Sequence, residues 1–252
     1  TSTSTDGRFD RCGYSHSVTR FHFNYTTEDE DGCLEEDDDG DLVVCRKESL
    51  EISVEHTLGT AIEHVGLQVW PGCLLLCDYI IANRELFSGK RVLELGGGIG
   101  LASILAAKVG ARCVRCTDVG DEILELCRRN VKNNSCDAYA EVSELDWFCP
   151  DNMIETAENM DYIIASDVIY DNELTDAFLN VVHIFMRRPS PKKLILTLEQ
   201  RINFLTDGLR CACPAYEYFL EAIEELKERG RKAGVCYTVK QLEASFEQCT
   251  EY

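Results

Sequence analysis

Residues 91–100 read RVLELGGGIG and set the architecture of this chain. The first half of this segment, 91–95, is a short run of mostly apolar residues, which is typical of a buried strand. Four of the next five residues are glycines, which permit positive φ angles and a close approach of the backbone to a ligand. Residues 100–109 have the apolar spacing of a helix, and Gly110 follows as its C-cap. The segment therefore predicts a strand, a glycine loop and a helix in succession.

The same alternation continues along the chain. Further strands are predicted at 112–117, 139–142, 162–165, 194–198 and 235–239, and further helices at 121–133, 174–186 and 216–229. Alternating strands and helices are the pattern of a doubly wound α/β sheet. We predict a mostly parallel, Rossmann-like core over residues 59–252.

Two regions precede this predicted core. Residues 1–41 are rich in Ser and Thr and then in acids, so they offer little apolar surface, and we predict a flexible tail. Residues 42–58 contain two β-rich pieces around a charged turn, which predicts a small N-terminal hairpin that belongs to the same domain as the core.

The charge of the chain excludes one class of partner. The formal net charge is -20, and ten acids without a single Lys or Arg lie between Glu28 and Asp41. Nucleic-acid affinity comes largely from Lys and Arg that displace condensed counterions. Direct binding of DNA or RNA is therefore disfavoured, and a basic protein is the expected kind of partner.

The cysteines and the apolar runs indicate in which cellular compartment the protein is expected. Fourteen cysteines are scattered through apolar stretches, and no apolar leader precedes them, which favours a reducing compartment such as the cytosol or the nucleus. The apolar run around Cys73 and Cys77 is broken at Asp78, so no membrane partner is expected. Cys113 and Cys116 would point to opposite faces of a strand, and no metal site is predicted.

The spacing of the glycines argues against a dinucleotide-binding loop. A dinucleotide fingerprint would need its third glycine at position 101, but that residue is Leu101, so a nicotinamide-dependent oxidoreductase ranks low. Asp118 follows the predicted strand 112–117, where a carboxylate can accept hydrogen bonds from both ribose hydroxyls. Two simpler interpretations remain open: Glu94 could be a buried strand carboxylate, and Asp118 could be a helix cap or turn residue.

A third motif, Ser166-Asp167-Val168-Ile169-Tyr170, follows the predicted strand 162–165. Its residues should emerge at the carboxyl edge of the sheet, where open α/β sheets bind ligands. Two tryptophan motifs accompany it, Trp70-Pro71-Gly72 before the first core helix and Leu145-Asp146-Trp147 after the third strand.

With these motifs the chain resembles the family-16 seven-β-strand S-adenosylmethionine-dependent protein-lysine methyltransferases. The resemblance runs from about residue 50 to 242. It implies S-adenosylmethionine as the cofactor, and a protein substrate with an accessible lysine, chaperones among the possible ones. It also implies a closing antiparallel strand after 235–239, which residues 243–252 are poorly suited to form, so we expect the last strand to be truncated.

The resemblance also implies site residues. Asp167 and Tyr170 would lie at the target amine as the catalytic residues. The cofactor-binding set would be Trp70, Glu94, Gly96, Gly98, Gly100, Asp118, Asp146, Trp147 and Ser166.

The chemistry of methyl transfer agrees with this assignment. Transfer from a sulfonium is an in-line displacement, so the main task is to align a neutral amine with the methyl group. A free lysine, with a pKa of about 10.4, must first lose its proton. Asp167 could attract and orient the ammonium, and the aromatic wall of Tyr170 could favour the neutral amine by desolvation.

Structural interpretations of the same residues remain open. Tyr170 could pack on the sheet edge, Asp171 is expected to cap the following helix, and Trp70 and Trp147 could be core aromatics. At the level of function, the alternative is a catalytically idle methyltransferase fold that binds a protein partner.

Overall fold

The structure, a computed structural model, describes residues 2–9, 13–26, 47–150, 159–187, 192–205 and 210–248. It begins with three antiparallel strands, β1 (Ser2–Phe9), β2 (Ser15–Thr26) and β3 (Lys47–Thr57), in the order β1-β2-β3. The prediction of a tail is therefore wrong for 2–9 and 15–26, and the hairpin predicted over 42–58 is wrong because 47–57 is a single strand. Residues 27–46, with the acidic run, lie outside the described residues.

The pairing of β2 with β3 explains this difference. Phe21 lies opposite Ile52 and Phe23 lies opposite Leu50. Because alternate residues of a strand share a face, Phe21, Phe23, Ile52 and Val54 form one apolar surface, and all four are buried in the core. A few apolar residues are enough when they share a face, and the average composition of 1–41 conceals this.

The remaining elements follow in alternation. They are a 3-10 segment (Ile62–Leu67), α1 (Pro71–Ala82), α2 (Arg84–Phe87), β4 (Arg91–Leu95), α3 (Leu101–Lys108), β5 (Cys113–Asp118), α4 (Asp121–Asn133), β6 (Ala140–Glu144), β7 (Tyr162–Ser166), α5 (Asn172–Met186), β8 (Lys193–Thr197), β9 (Asn203–Leu205), β10 (Arg210–Ala212) and α6 (Pro214–Lys232). Strands β4 to β8 form one parallel sheet in the order β6-β5-β4-β7-β8. The predicted Rossmann-like α/β core is confirmed.

The two faces of this sheet bury different sets of residues. In β4, Val92 belongs to the cluster that contains α1, α3, α4 and the N-terminal sheet, whereas Leu93 and Leu95 belong to the cluster under α5 and α6. The alternation of side chains along a strand produces this division. Helices therefore cover both faces, as a doubly wound sheet requires.

Two asparagines attach the N-terminal sheet to the core: Asn130 lies in α4, and Asn134 is the residue directly after it. Asn130 accepts a hydrogen bond from the Glu55 backbone N–H (2.8 Å) and donates one to the Glu55 carbonyl (2.9 Å). Asn134, one helical turn later, makes the same pair of bonds with the backbone of Ser53 (3.1 and 2.8 Å). The side-chain amides thus make the hydrogen bonds to β3 that the backbone of a neighbouring strand would otherwise make.

The range Ile62–Ala82 has the length and composition of a candidate membrane span, 21 residues with a hydropathy of 1.5. In the structure it is not one helix, because the 3-10 segment ends at Leu67 and α1 begins at Pro71. Helix α1 packs against α3, β7 and β8. A core helix that is apolar on most sides meets the same criterion as a membrane span.

The strand predicted at 235–239 is wrong. The chain turns after α6, where the Val235 N–H donates to the Gly230 carbonyl (2.8 Å). The ring of Tyr237 then lies against Gly230, where an added Cβ would be only 2.7 Å from it, and its hydroxyl lies 2.9 Å from His183 Nδ1. These contacts hold the segment on α5 and α6 instead of at the sheet edge.

Candidate active site

A cavity of about 760 Å³ lies at the carboxyl edge of the parallel sheet. Loops that follow all five strands contribute to its wall, as expected for an open α/β sheet. Nine of the eleven predicted site residues line it: Trp70, Gly96, Gly98, Asp118, Asp146, Trp147, Ser166, Asp167 and Tyr170. The other two, Glu94 and Gly100, lie outside this wall.

Asp118 ends β5 and holds the glycine loop. Its Oδ2 accepts a hydrogen bond from the Gly98 N–H (2.7 Å), and its Oδ1 accepts one from the Val119 N–H (2.7 Å). Burial raises the pKa of this carboxyl above its ordinary value, and the two backbone hydrogen bonds oppose that rise. Because α4 begins after Gly120 without a side-chain cap, the interpretation of Asp118 as a helix cap is wrong.

The conformation of the glycine loop is set by its close packing against other parts of the protein. Gly96 and Gly98 have positive φ angles of 69° and 53°. A Cβ on Gly96 would lie 2.7 Å from Val168, and one on Gly98 would lie 2.8 Å from the carbonyl oxygen of Gly66. The glycines are therefore required by backbone conformation and close packing.

Gly100 packs against the protein interior and does not line the cavity. It has a φ of 87° and precedes α3, and a Cβ there would lie 2.6 Å from the Cys127 sulfur. That sulfur lies 3.6 Å from Cys116 Sγ. Ile99 still lines the cavity, but Gly100 does not, so the structure places Gly100 outside the predicted cofactor-binding wall.

Glu94 lies beneath the glycine loop and is fully buried. Ser103 donates a hydrogen bond to its Oε2, whereas its Oε1 has no partner among the described residues. Burial raises the pKa of this carboxyl to about 7, against the lowering effect of Ser103. The interpretation of Glu94 as a buried strand carboxylate describes what the structure shows.

Asp167 is held by backbone groups from two directions. Its Oδ2 accepts from the Gly72 N–H at the start of α1 (2.5 Å), and its Oδ1 accepts from the Glu199 N–H after β8 (2.8 Å). Its φ of 52° is in the left-handed region, which Asp tolerates better than most residues. The aspartate thus lines the cavity and also joins α1, β7 and β8.

Tyr170 lies half-buried in the cavity wall. Burial raises the pKa of its hydroxyl, Asp118 and Asp171 raise it further, and Arg201 lowers it. The neighbouring Asp171 caps α5, since its side chain accepts from the Leu174 N–H (2.9 Å). The expected capping role of Asp171 is confirmed.

Trp70 is fixed on both sides at the start of α1. Its indole N–H donates to the Val65 carbonyl (3.0 Å), and the guanidinium of Arg201 stacks over its ring at 4.6 Å from the centroid. Arg201 also lines the cavity. Sequence reasoning missed Arg201, and no motif in the sequence marked it.

The tryptophan motif after β6 forms the opposite part of the wall. Trp147 packs on Phe178 with ring centroids 5.4 Å apart, and its ring edge lies 3.3 Å from the position of a Cβ on Gly96. Asp146 forms a turn in which its Oδ1 accepts from the Phe148 N–H (2.9 Å). Ser166, the last residue of β7, completes this wall.

The 3-10 segment forms a second wall that the sequence did not predict. Gly66 packs against Ile123 of α4, since a Cβ there would lie 2.8 Å from its side chain. His64 Nε2 lies 3.6 Å from the Glu122 carboxylate. These contacts hold the segment over the glycine loop, where several of its residues face the cavity: Ile62, Glu63, Val65 and Gly66.

The sequence is similar to those of several methyltransferases. The chain is 39% identical to mouse methyltransferase-like protein 22 over 221 residues, which cover 80% of this chain and 56% of that protein. It is 33% identical to mouse histone-arginine methyltransferase METTL23 over 57% of this chain and 55% of that protein. Mouse protein-lysine methyltransferase METTL21E is 34% identical over 45% of this chain and 49% of that protein.

The chain spans about half the length of these curated relatives. A family model covers most of the chain: residues 46–225 match the family described as lysine methyltransferase. This range includes the glycine loop, Asp118 and the motif from Ser166 to Tyr170. The chain therefore belongs to the lysine methyltransferase family.

Proposed function

We propose that this protein is an S-adenosylmethionine-dependent protein-lysine N-methyltransferase. The observation that carries the proposal is the convergence of three separate motifs, the glycine loop, Asp118 and the Asp167–Tyr170 segment, on one cavity. Family membership supports methyl transfer, and the relatives include proteins named for lysine and for arginine methylation. The substrate would be a basic protein, because the enzyme carries a net charge of -20.

The residues present fit this cofactor. Asp118 keeps lone pairs beyond the two that accept backbone N–H groups, so its carboxylate can also accept ribose hydroxyls. The backbone of Gly96 to Gly98 lines the cavity beside it. Trp147 and Phe148 offer apolar surface for a ring. When bound, S-adenosylmethionine supplies a methyl group on a positively charged sulfur, and transfer leaves S-adenosylhomocysteine.

The acceptor end is formed by Asp167 and Tyr170. A lysine that enters as an ammonium must release its proton to water before its nitrogen can bond to the methyl carbon, whose bond to sulfur breaks in the same step. The half-buried phenol of Tyr170, whose pKa is raised, stays neutral and disfavours a charged amine by desolvation. Asp167 supplies negative charge nearby, while its backbone hydrogen bonds fix its direction.

Cofactor binding is tested first by isothermal titration with S-adenosylmethionine. The wild-type protein should bind, and Asp118→Ala should bind at least tenfold more weakly because the carboxylate that faces the ribose is lost. Asp137→Ala is the matched control, since this exposed aspartate lies before β6 and outside the cavity wall. Equal affinity of all three proteins would contradict the proposed cofactor site.

The acceptor nitrogen is tested separately. Cell extract is incubated with the protein and cofactor labelled in the methyl group, and the labelled proteins are hydrolysed to amino acids. The proposal expects methyl-lysine. Labelled methyl-arginine in its place would assign the protein to the other activity named among the relatives.

One observation favours the alternative of an idle binding module. Both carboxylate oxygens of Asp167 already accept backbone N–H groups, so this residue would be needed for folding even without catalysis. An idle module would bind the cofactor or a partner protein but leave no labelled protein in the extract. Labelling that depends on Tyr170 would exclude it.

A further inference from the structure

Arg201 is the one Lys or Arg among the described residues that line the cavity, whose acids are Glu63, Asp118, Asp146 and Asp167. It follows β8, which lies on the far side of β7 from β4. Asp118 is the last residue of β5, on the opposite side of β4. The sheet order therefore separates Arg201 from the proposed ribose site and places it beyond the acceptor end.

Among the described residues, Arg201 makes a stacking contact with its planar face and an ion pair on its Nε side. The planar face stacks on Trp70, 4.6 Å from the ring centroid. The ion pair is with Glu199, whose Oε2 lies 3.8 Å from Nε, too long for a hydrogen bond. The side chain is 38% exposed. The terminal N–H groups of the guanidinium have no hydrogen-bond partner among the described residues, so they are available for a ligand.

An arginine edge of this kind matches a carboxylate. The guanidinium presents parallel N–H donors that bind both oxygens of a carboxylate, and stacking on an aromatic ring limits its motion without using those donors. A lysine ammonium, by contrast, is repelled by Arg201. A group that binds here together with an acceptor lysine should therefore be acidic.

We propose that Arg201 binds the carboxylate of an Asp or Glu that neighbours the acceptor residue in the substrate protein. This inference rests on the proposed function and specifies its substrate class: a protein that is basic as a whole but carries an acid close to the target lysine. Net charge governs the long-range approach, whereas Arg201 selects among lysines once the two surfaces meet.

The positive charge of Arg201 also reaches the reacting position, since it lowers the pKa of Tyr170 against the effects of burial and of two aspartates. A substrate carboxylate that pairs with Arg201 would neutralise part of this charge. Pairing of the substrate acid with Arg201 then favours entry of the lysine into the cavity. Recognition of the acid and binding of the lysine therefore stabilise each other.

The experiment begins with the labelled lysine recovered from the cell extract. We expect an Asp or Glu within four residues of it. Replacing that acid by its amide in the substrate should lower kcat/KM about tenfold with the wild-type enzyme, as expected for a hydrogen bond between charged groups at a partly exposed site. With Arg201→Gln, the same replacement should change kcat/KM less than twofold.

Charge reversal and a control sharpen the test. Arg201→Glu should prefer a substrate in which the acid is replaced by Lys. Arg112→Glu makes the same charge change at an exposed residue before β5, at the opposite edge of the sheet, and should behave as wild type. Affinity for S-adenosylmethionine should be the same in Arg201→Gln as in the wild type.

Three results would overturn the inference. They are a labelled lysine without a neighbouring acid, an equal loss in wild type and Arg201→Gln, and weakened cofactor binding in Arg201→Gln, which would assign Arg201 to the cofactor, either directly or through the Trp70 ring on which it stacks. A wild-type protein that labels no lysine at all would instead refute the proposed function, and the inference would fall with it.

Discussion

The carboxylate of Asp167 accepts a hydrogen bond from the backbone N–H of Gly72 at 2.5 Å. A second bond closes the same junction, because Thr197 Oγ1 donates to the Gly72 carbonyl at 2.6 Å. The end of β7, the end of β8 and the start of α1 are thus joined through one glycine. The motif that lines the acceptor end of the cavity is therefore also a structural joint.

Gly72→Ala should destabilise the protein, because an added Cβ would lie 2.6 Å from the Asp167 carboxyl carbon. Overpacking of this kind costs about 1–3 kcal/mol. Gly59→Ala is the matched control, since nothing lies within 4 Å of a Cβ there, and it should change stability by less than about 0.5 kcal/mol. Denaturant unfolding of the three proteins measures this, and equal midpoints would contradict the described junction.

Variants at Asp167 and Tyr170 should separate structure from chemistry. The amide retains only one acceptor oxygen for the two N–H groups that Asp167 binds, so Asp167→Asn should lose about 1–3 kcal/mol of stability as well as activity. Tyr170→Phe keeps the ring that desolvates the amine and should match the wild type in unfolding and in rate, whereas Tyr170→Ala removes that ring and should transfer methyl groups more slowly. Unfolding curves and initial rates are compared on the same preparations. A stable, fully active Asp167→Asn would rule out both roles.

Asn130 and Asn134 provide a matched pair for the N-terminal sheet. Both bind the backbone of β3, but Asn130 also donates to the Ile99 carbonyl in the glycine loop (3.1 Å). Asn130→Ala should therefore lower stability by about 2–3 kcal/mol and also weaken cofactor binding, because it leaves buried backbone groups unpaired in both places. Asn134→Ala should lower stability only. Unfolding and titration together test this, and identical cofactor affinities in the two variants would argue against the connection.

Glu94 predicts a specific dependence of stability on pH. Its pKa is raised from the unfolded value of 4.5 to about 7, so the folded state binds more protons between these values. The contribution of Glu94 is fully present below pH 4.5 and is lost as pH rises through 7. Glu94→Gln cannot ionise, so its stability relative to wild type should be greater at pH 8 than at pH 5 by about 2 kcal/mol. A constant difference across this range would mean that Glu94 does not titrate as described.

Local patterns were sufficient for much of the core. The strand at 91–95, the glycine loop and the helix at 121–133 are encoded by neighbouring residues, through apolar periodicity and turn composition. Asp118 and Asp167 could be predicted as cavity residues because each directly follows a strand, and parallel strands end at one edge. The capping role of Asp171 is equally local.

Other features depend on residues far apart in sequence. Strand β2 pairs with β3 across an interval outside the described residues, and the buried face that results is invisible to composition. Residues 235–239 have the composition of a strand, but in the structure Tyr237 packs on Gly230 and His183 of the helices. Packing against a distant surface can override a local preference for strand.

The sequence by itself determined the α/β class, the order of the core elements and nine of the residues that line the cavity, because hydrophobic period and strand-end position are local properties. The three-dimensional arrangement was needed to show that Gly100 faces Cys127, that Asp167 joins three elements and that Arg201 stacks on Trp70. Each of these is a contact between segments that only the folded chain brings within a few ångströms, and no local pattern encodes such a distance.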